Sequence, residues 1–139
     1  MSNEKDAIEA GYLADKLIAS EVAIQDKMWG VGNDRADATA GQMADAAMAQ
    51  IGVVALKSRG VSSDVAVAHC KDDFYPKDWD GFRDYGSDVA NLVVAAAFLR
   101  SEIKRKLAAG EDYTRAKRAE PYHTANPAIS SEEAARVQG

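Results

Sequence analysis

SDVANLVVAAAFLRSEIKRKLAAG, running from Ser87 to Gly110, is the stretch whose reading decides the fold. Ser87 has a hydroxyl suited to accept from an unpaired backbone N–H at a helix start, and Asp88 sets negative charge at the positive end of the dipole. No proline or glycine interrupts the run until Gly110, the residue type that closes helices in a left-handed conformation. Lys104, Arg105 and Lys106 offset the negative end, a capping role favoured over a phosphate-contacting patch. Val89 to Leu99 is apolar on nearly every face, broken by Asn91, and far too short to span a bilayer. Such a helix is expected at the centre of a bundle. Asn91, Phe98 and Glu102 share one stripe on it with Ala95.

Working outward, a first helix is expected from Glu4 to Met28. At 100° per residue, Leu13, Leu17, Ile18, Val22, Ile24, Met28 and Trp29 fall on one broad arc, with Lys5, Glu9, Lys16 and Lys27 opposite. Glycines and an Asn-Asp pair break the chain at residues 30–34. Asp37 or Thr39 then caps a second helix reaching Leu56, so rich in alanine and valine that burial on several sides, or an oligomer interface, is expected. From Lys57 to Tyr85 the periodicity fails. Ser63 opens a short helix to Ala68, followed by CKDDFYPKDWDGFRDYG. Five of the ten aromatics lie here (Phe74, Tyr75, Trp79, Phe82 and Tyr85), so the loop is either packed by its own side chains or functional. The tail from Glu111 is polar, and Ser130 with Glu133 makes a capping box for a short terminal helix. The fold expected is all-α: a compact bundle of three main helices over residues 1–110, a long aromatic-rich loop, and an extended C-terminal tail over residues 111–139.

Bulk properties narrow the function. A net charge of −5 lacks the basic footprint of general nucleic-acid binding. The single cysteine, Cys70, excludes an internal disulfide framework, and the charged N-terminus has no apolar signal core, so a cytoplasmic setting is expected. His69-Cys70 lacks a second ligand pair at zinc spacing. Asp78-x-Asp80-Gly81 imitates a calcium loop, but Pro76 occupies the first ligand position. No phosphate loop, dinucleotide fingerprint or nucleophile elbow occurs, so no catalytic residue, metal or cofactor is assigned.

Polar residues on apolar arcs are the candidates for function, because burying them costs free energy unless they are paired. Glu21 lies between Met28 and Ala14 on the first helix, with Gln25 a turn later. An ion pair to Arg100 or Lys104 with a bond from Gln25 is favoured over a ligand contact or general base. Asn91 suits a nucleobase edge and a core anchor for the aromatic loop equally well. Glu102 poses the same choice. Trp79 and Phe82 stack on a flat ligand or fill the core, and Arg83 is placed to pair with a phosphate. Asn33 and Asp34 precede a helix N-terminus, a position suited to anions.

The chain resembles a family of small helical proteins of bacteriophages and prophages. The residues carrying the resemblance are Glu21 and Gln25, the Trp29-Gly30 turn, Asn33-Asp34, Met43-Ala44 through Ala47, Tyr75-Pro76, Trp79, and Asn91-Leu92-Val93 through Glu102-Ile103-Lys104-Arg105. Val22 stands where the pattern has arginine, and the loop histidine is absent. The resemblance implies a helical fold and a phage accessory protein that acts on its host. The expected function is therefore non-catalytic binding, of a counter-defence type, to a small nucleotide-like signal or to a host protein in the bacterial cytoplasm. Expected ligand-binding residues are Glu21, Gln25, Trp29, Asn33, Asp34, Trp79, Phe82, Arg83, Asn91 and Glu102. The alternative is a Mg²⁺-dependent all-α nucleotide pyrophosphohydrolase, whose acidic pairs are approached by Gln42-x-x-Asp45 and Asp88-x-x-Asn91. No membrane partner is expected. The apolar second helix points to a homodimer.

Overall fold

A computed structural model describes residues 3–29 and 40–113. Its elements are α1 (Asn3–Trp29), α2 (Gln42–Ser58), α3 (Ser63–Asp73) and α4 (Asp88–Ala108), and the fold is all-α. Among the described residues these are the three main helices expected and the short helix expected from Ser63, which continues five residues past Ala68 to Asp73. The chain divides into units Met1–Ala109 and Gly110–Gly139. The terminal helix expected near Ser130, the cap expected at Asp37 or Thr39, and the candidates Asn33 and Asp34 lie outside the described residues.

Helix α4 forms as its sequence dictates. The Ser87 hydroxyl accepts from Ala90 N at 3.1 Å, and Gly110 takes a positive φ of 92° after the last turn. Helix α3 uses the same device, Ser62 accepting from Val65 N. Helix α2 differs: its N-cap is Gly41, left-handed at φ 89°, with no side-chain bond.

Helix α2 is the centre, packed on both α3 and α4, and it buries Met43, Ala46, Ala47, Ala49, Gln50 and Val53. Helices α2 and α4 run antiparallel. A Cβ on Gly41 would lie 3.7 Å from Glu102, near the end of α4, whereas Gln50 meets Asn91 near its start. The core between them mixes alanines with larger residues, with Val94, Ala95 and Phe98 on the α4 side. Small side chains let the helices approach closely.

Two expectations of burial are corrected. On α1, the edge turned inward carries Ile18, Glu21, Val22 and Gln25, while Leu13, Leu17, Ile24 and Met28 are exposed. Helix α1 packs on α4, and it does so along the polar side of its apolar arc. On α4, the face away from the core leaves Val89, Leu92, Leu99, Ile103 and Leu107 exposed. Helix α4 is thus apolar all round without being covered all round. Among the described residues, no helix is long and apolar enough to cross a membrane.

Helices α2 and α3 are tightly apposed at Gly52, where an added Cβ would stand 2.6 Å from Cys70 Sγ. Gly52→Ala is therefore expected to cost about 1–3 kcal/mol by overpacking, outweighing the ~1 kcal/mol gain in helix propensity. Cys70→Ala in the same chain should recover part of that loss in urea unfolding.

Candidate functional site

The loop over residues 74–86 lies against α2 and α4 through its rings. Tyr75 and Trp79 are buried, and Phe82 is half-buried. Phe82 stacks on Tyr75 with ring centroids 4.7 Å apart, Trp79 meets Tyr75 edge-on at 6.1 Å, and Trp79 tilts against Phe98 of α4 at 6.5 Å. The Tyr75 hydroxyl donates to the Asp80 carbonyl. Trp79 and Phe82 therefore fill the core where regular structure is missing. Arg83 is exposed, its guanidinium 5.4 Å from the Tyr85 ring centroid.

Asn91, fully buried, pins this loop. Its Oδ1 accepts from Gln50 Nε2 at 2.8 Å and from Tyr85 N at 2.9 Å, and its Nδ2 donates to Asp84 Oδ1 at 3.0 Å. Gln50 Nε2 also donates to the Arg83 carbonyl. Asp84 in turn accepts from Gly86 N on Oδ1 and from Lys57 and Ser63 on Oδ2. Lys57 ends α2, Ser63 begins α3, and Asn91 belongs to α4, so one carboxylate ties three helices to the loop. The Lys57 ammonium, followed by the Ser63, Asn91 and Gly86 donors, holds the Asp84 carboxyl well below the usual carboxylate range.

Glu102 is engaged on its own helix. Arg105 Nε lies 2.6 Å from Oε1, and a second nitrogen reaches Oε2 at 3.2 Å. Those bonds outweigh burial and lower its carboxyl. Glu21 behaves in the opposite way: burial raises its carboxyl, and the Gln25 side-chain bond only partly compensates. Gln25 is 5% exposed, and its Oε1 is the buried side-chain polar atom left without a partner among the described residues. Trp29 ends α1.

The candidate set thus separates. Asn91, Trp79 and Phe82 belong to the anchored loop. Glu102 belongs to an α4 ion pair. Glu21 and Gln25 form a third, incompletely satisfied group on α1. Sequence reasoning overlooked Gln50, although an amide inside an alanine-rich helix carries the same signal as Asn91. Asp84, Lys57 and Ser63 gave no such signal, being ordinary polar residues of a loop and of helix ends.

A cavity of about 330 Å³ lies elsewhere, between α2 and α3, lined by residues including Ile51, Leu56, Arg59, His69, Cys70 and Phe74. His69 Nε2 is 3.0 Å from Asp73 Oδ2. Burial, with Asp73 nearby, pushes the Cys70 thiol up, so it is held as the unreactive thiol at neutral pH. Among the described residues, no group of three or more His, Cys, Asp or Glu side chains is arranged to hold a metal ion. No family model, curated protein or solved structure matches the chain.

Removal of the Asn91 amide should destabilise by about 3 kcal/mol, since it strands several buried donors and acceptors at once. A double-mutant cycle of Asn91→Ala with Gln50→Ala should show coupling of about 1 kcal/mol or more. Asp84 is ionised in both states at neutral pH. As pH falls below about 4, the unfolded carboxyl takes up a proton before the folded one, and the contribution is lost. The stability difference between the native chain and Asp84→Asn should therefore shrink in acid. Glu21 has the reverse sign: its raised folded value penalises the native state as pH climbs above about 4.3. Glu21→Gln should thus be neutral or stabilising at pH 7, and any gain should disappear in acid.

Proposed function

We propose that this chain is a non-catalytic accessory protein of a bacteriophage that acts in the cytoplasm of its host by binding a host protein, in the manner of a counter-defence factor. Its resemblance to small phage and prophage proteins supports the source. One observation carries the binding mode: α1 runs for 27 residues, yet every residue from Glu4 to Leu17 is exposed, apolar ones included. An isolated helical segment of this length gains little from its backbone alone and is ordinarily held by an apolar face. Leu13, Leu17, Ile24 and Met28 are spaced by four, seven and four residues and so form one exposed stripe. An amphipathic helix with such a stripe suits docking into a partner's apolar groove.

The internal use of Asn91 and Glu102 favours a protein partner over a ligand gripped by those side chains. It also weighs against the pyrophosphohydrolase alternative, since Asn91 is already bonded on both its amide atoms. A small nucleotide-like ligand remains a second reading at a different place, the α2–α3 cavity, where the Phe74 ring and the Arg59 side chain offer stacking and anion pairing.

The immobilised chain and a Leu17→Glu/Ile24→Glu variant are to be compared on host lysate, and any protein retained selectively is then purified for calorimetry. The α1 reading expects binding that weakens at least about tenfold in the variant, the scale of two apolar side chains withdrawn from an interface. Equal binding by the variant would sink it. A cyclic-nucleotide panel that binds the native chain but not Arg59→Ala would favour the cavity instead.

A further inference from the structure

The outward face of α4 carries an arrangement the proposed function does not use. Val89, Leu92, Ala96, Leu99 and Ile103 follow one another at intervals of three, four, three and four residues. That is the spacing of a coiled-coil seam, in which apolar residues recur every 3.5 residues on average. The seam faces away from the core. Val89 is 58% exposed, Leu92 45%, Leu99 40% and Ile103 59%, while Asn91, Val94, Ala95, Phe98 and Glu102 fill the opposite side. Scattered exposed leucines need no explanation, whereas a continuous apolar stripe marks an interaction surface.

We infer that this stripe binds the same stripe of a second copy of the chain, with the two α4 helices antiparallel. Charge decides the direction. Asp88 stands at the beginning of the seam, and Arg100, Lys104 and Lys106 lie toward its end. A parallel pair would set like charges side by side. An antiparallel pair brings each acidic end to the partner's basic end and opposes the two helix dipoles favourably. Geometry decides the register. With Ala96 opposite the partner's Leu99, Leu92 falls opposite the partner's Ile103, and Val89 with Asp88 falls beside the partner's Lys106. A small residue then faces a large one at the centre of the pair, which lets the helices close without a void.

The available area sets the strength. Val89, Leu92, Leu99 and Ile103 of the seam, with the neighbouring Leu107, expose on the order of 450 Å² per copy, against roughly 800 Å² per partner in a standard stable interface. The pair is therefore expected to be a reversible, concentration-dependent dimer rather than a permanent one. The sequence points to α2 for a homodimer; α2 buries Met43, Ala46, Ala47, Ala49 and Val53 and leaves Met48 and Ile51 exposed beside the α2–α3 cavity, whereas α4 carries the stripe at seam spacing.

Sedimentation equilibrium of the full chain over a concentration series tests this, with circular dichroism confirming that each variant stays helical. The native chain should pass from monomer to dimer. Leu99→Glu and Ile103→Glu should each weaken dimerisation at least about tenfold, while Leu17→Glu on α1 should leave it unchanged. Asp88→Lys and Lys106→Glu should each weaken the dimer, and combining them should restore it. A native chain that stays monomeric throughout overturns the inference. So does a dimer that survives both α4 substitutions, or one lost with Leu17→Glu alone. Failure of the charge reversal to restore association overturns the antiparallel register.

Discussion

A buried carboxamide governs this fold. Asn91 lies in the first turns of α4 and converts an irregular loop into part of the core by offering an acceptor to Tyr85 N and a donor to Asp84. A connection without helix or sheet has backbone groups that must find partners, and when it lies against a core those partners have to be side chains. Asp84 extends the same logic outward, binding Lys57 and Ser63 from two other helices. In surroundings poor in water each such bond is strong, and each missing one would be costly. Helices α2, α3 and α4 and the loop are thereby held as one cooperative unit.

The same economy explains where function is to be sought. Asn91, Gln50 and Glu102 in the interior are occupied with holding the loop and the end of α4, whereas Gln25 on α1 is not fully satisfied. The α2–α4 contact is close as well, because Ala46, Ala47, Ala49 and Ala95 stand among its larger side chains. Small side chains bring backbones together but cover little of a neighbouring helix. Long helices around a narrow core therefore keep apolar surface that the chain cannot bury by itself. Helices α1 and α4 both show this, one with Leu13, Leu17, Ile24 and Met28 and the other with Val89, Leu92, Leu99 and Ile103. Glu21 and Gln25 show the reverse side of that arrangement, since α1 turns a carboxylate and an amide inward while its leucines face out.

Much of the local structure was legible from residue types. Ser87 and Gly110 bracket α4 as their capping chemistry requires, the central place of α2 follows from its alanine content, and the all-α class follows from both. The aromatics of residues 74–85 were recognisable as either a pocket wall or core filling, but no pattern in the sequence chose between them. That choice depends on Gln50 and Asp84 standing within bonding reach of Asn91, and these residues lie 41 and 7 positions away along the chain.

What the sequence determined by itself is the all-α class and the bounds of α4, because caps, breakers and propensities act over three or four residues and need no distant partner. The start of α2 after Gly41 and the end of α3 at Asp73 did not follow from them. Which side of each helix faces inward was settled only by tertiary structure. Hydrophobic periodicity shows that an apolar arc exists, but a core lined with alanine has room for only part of it. The edge that wins is set by which neighbour it meets and which polar groups that neighbour can satisfy.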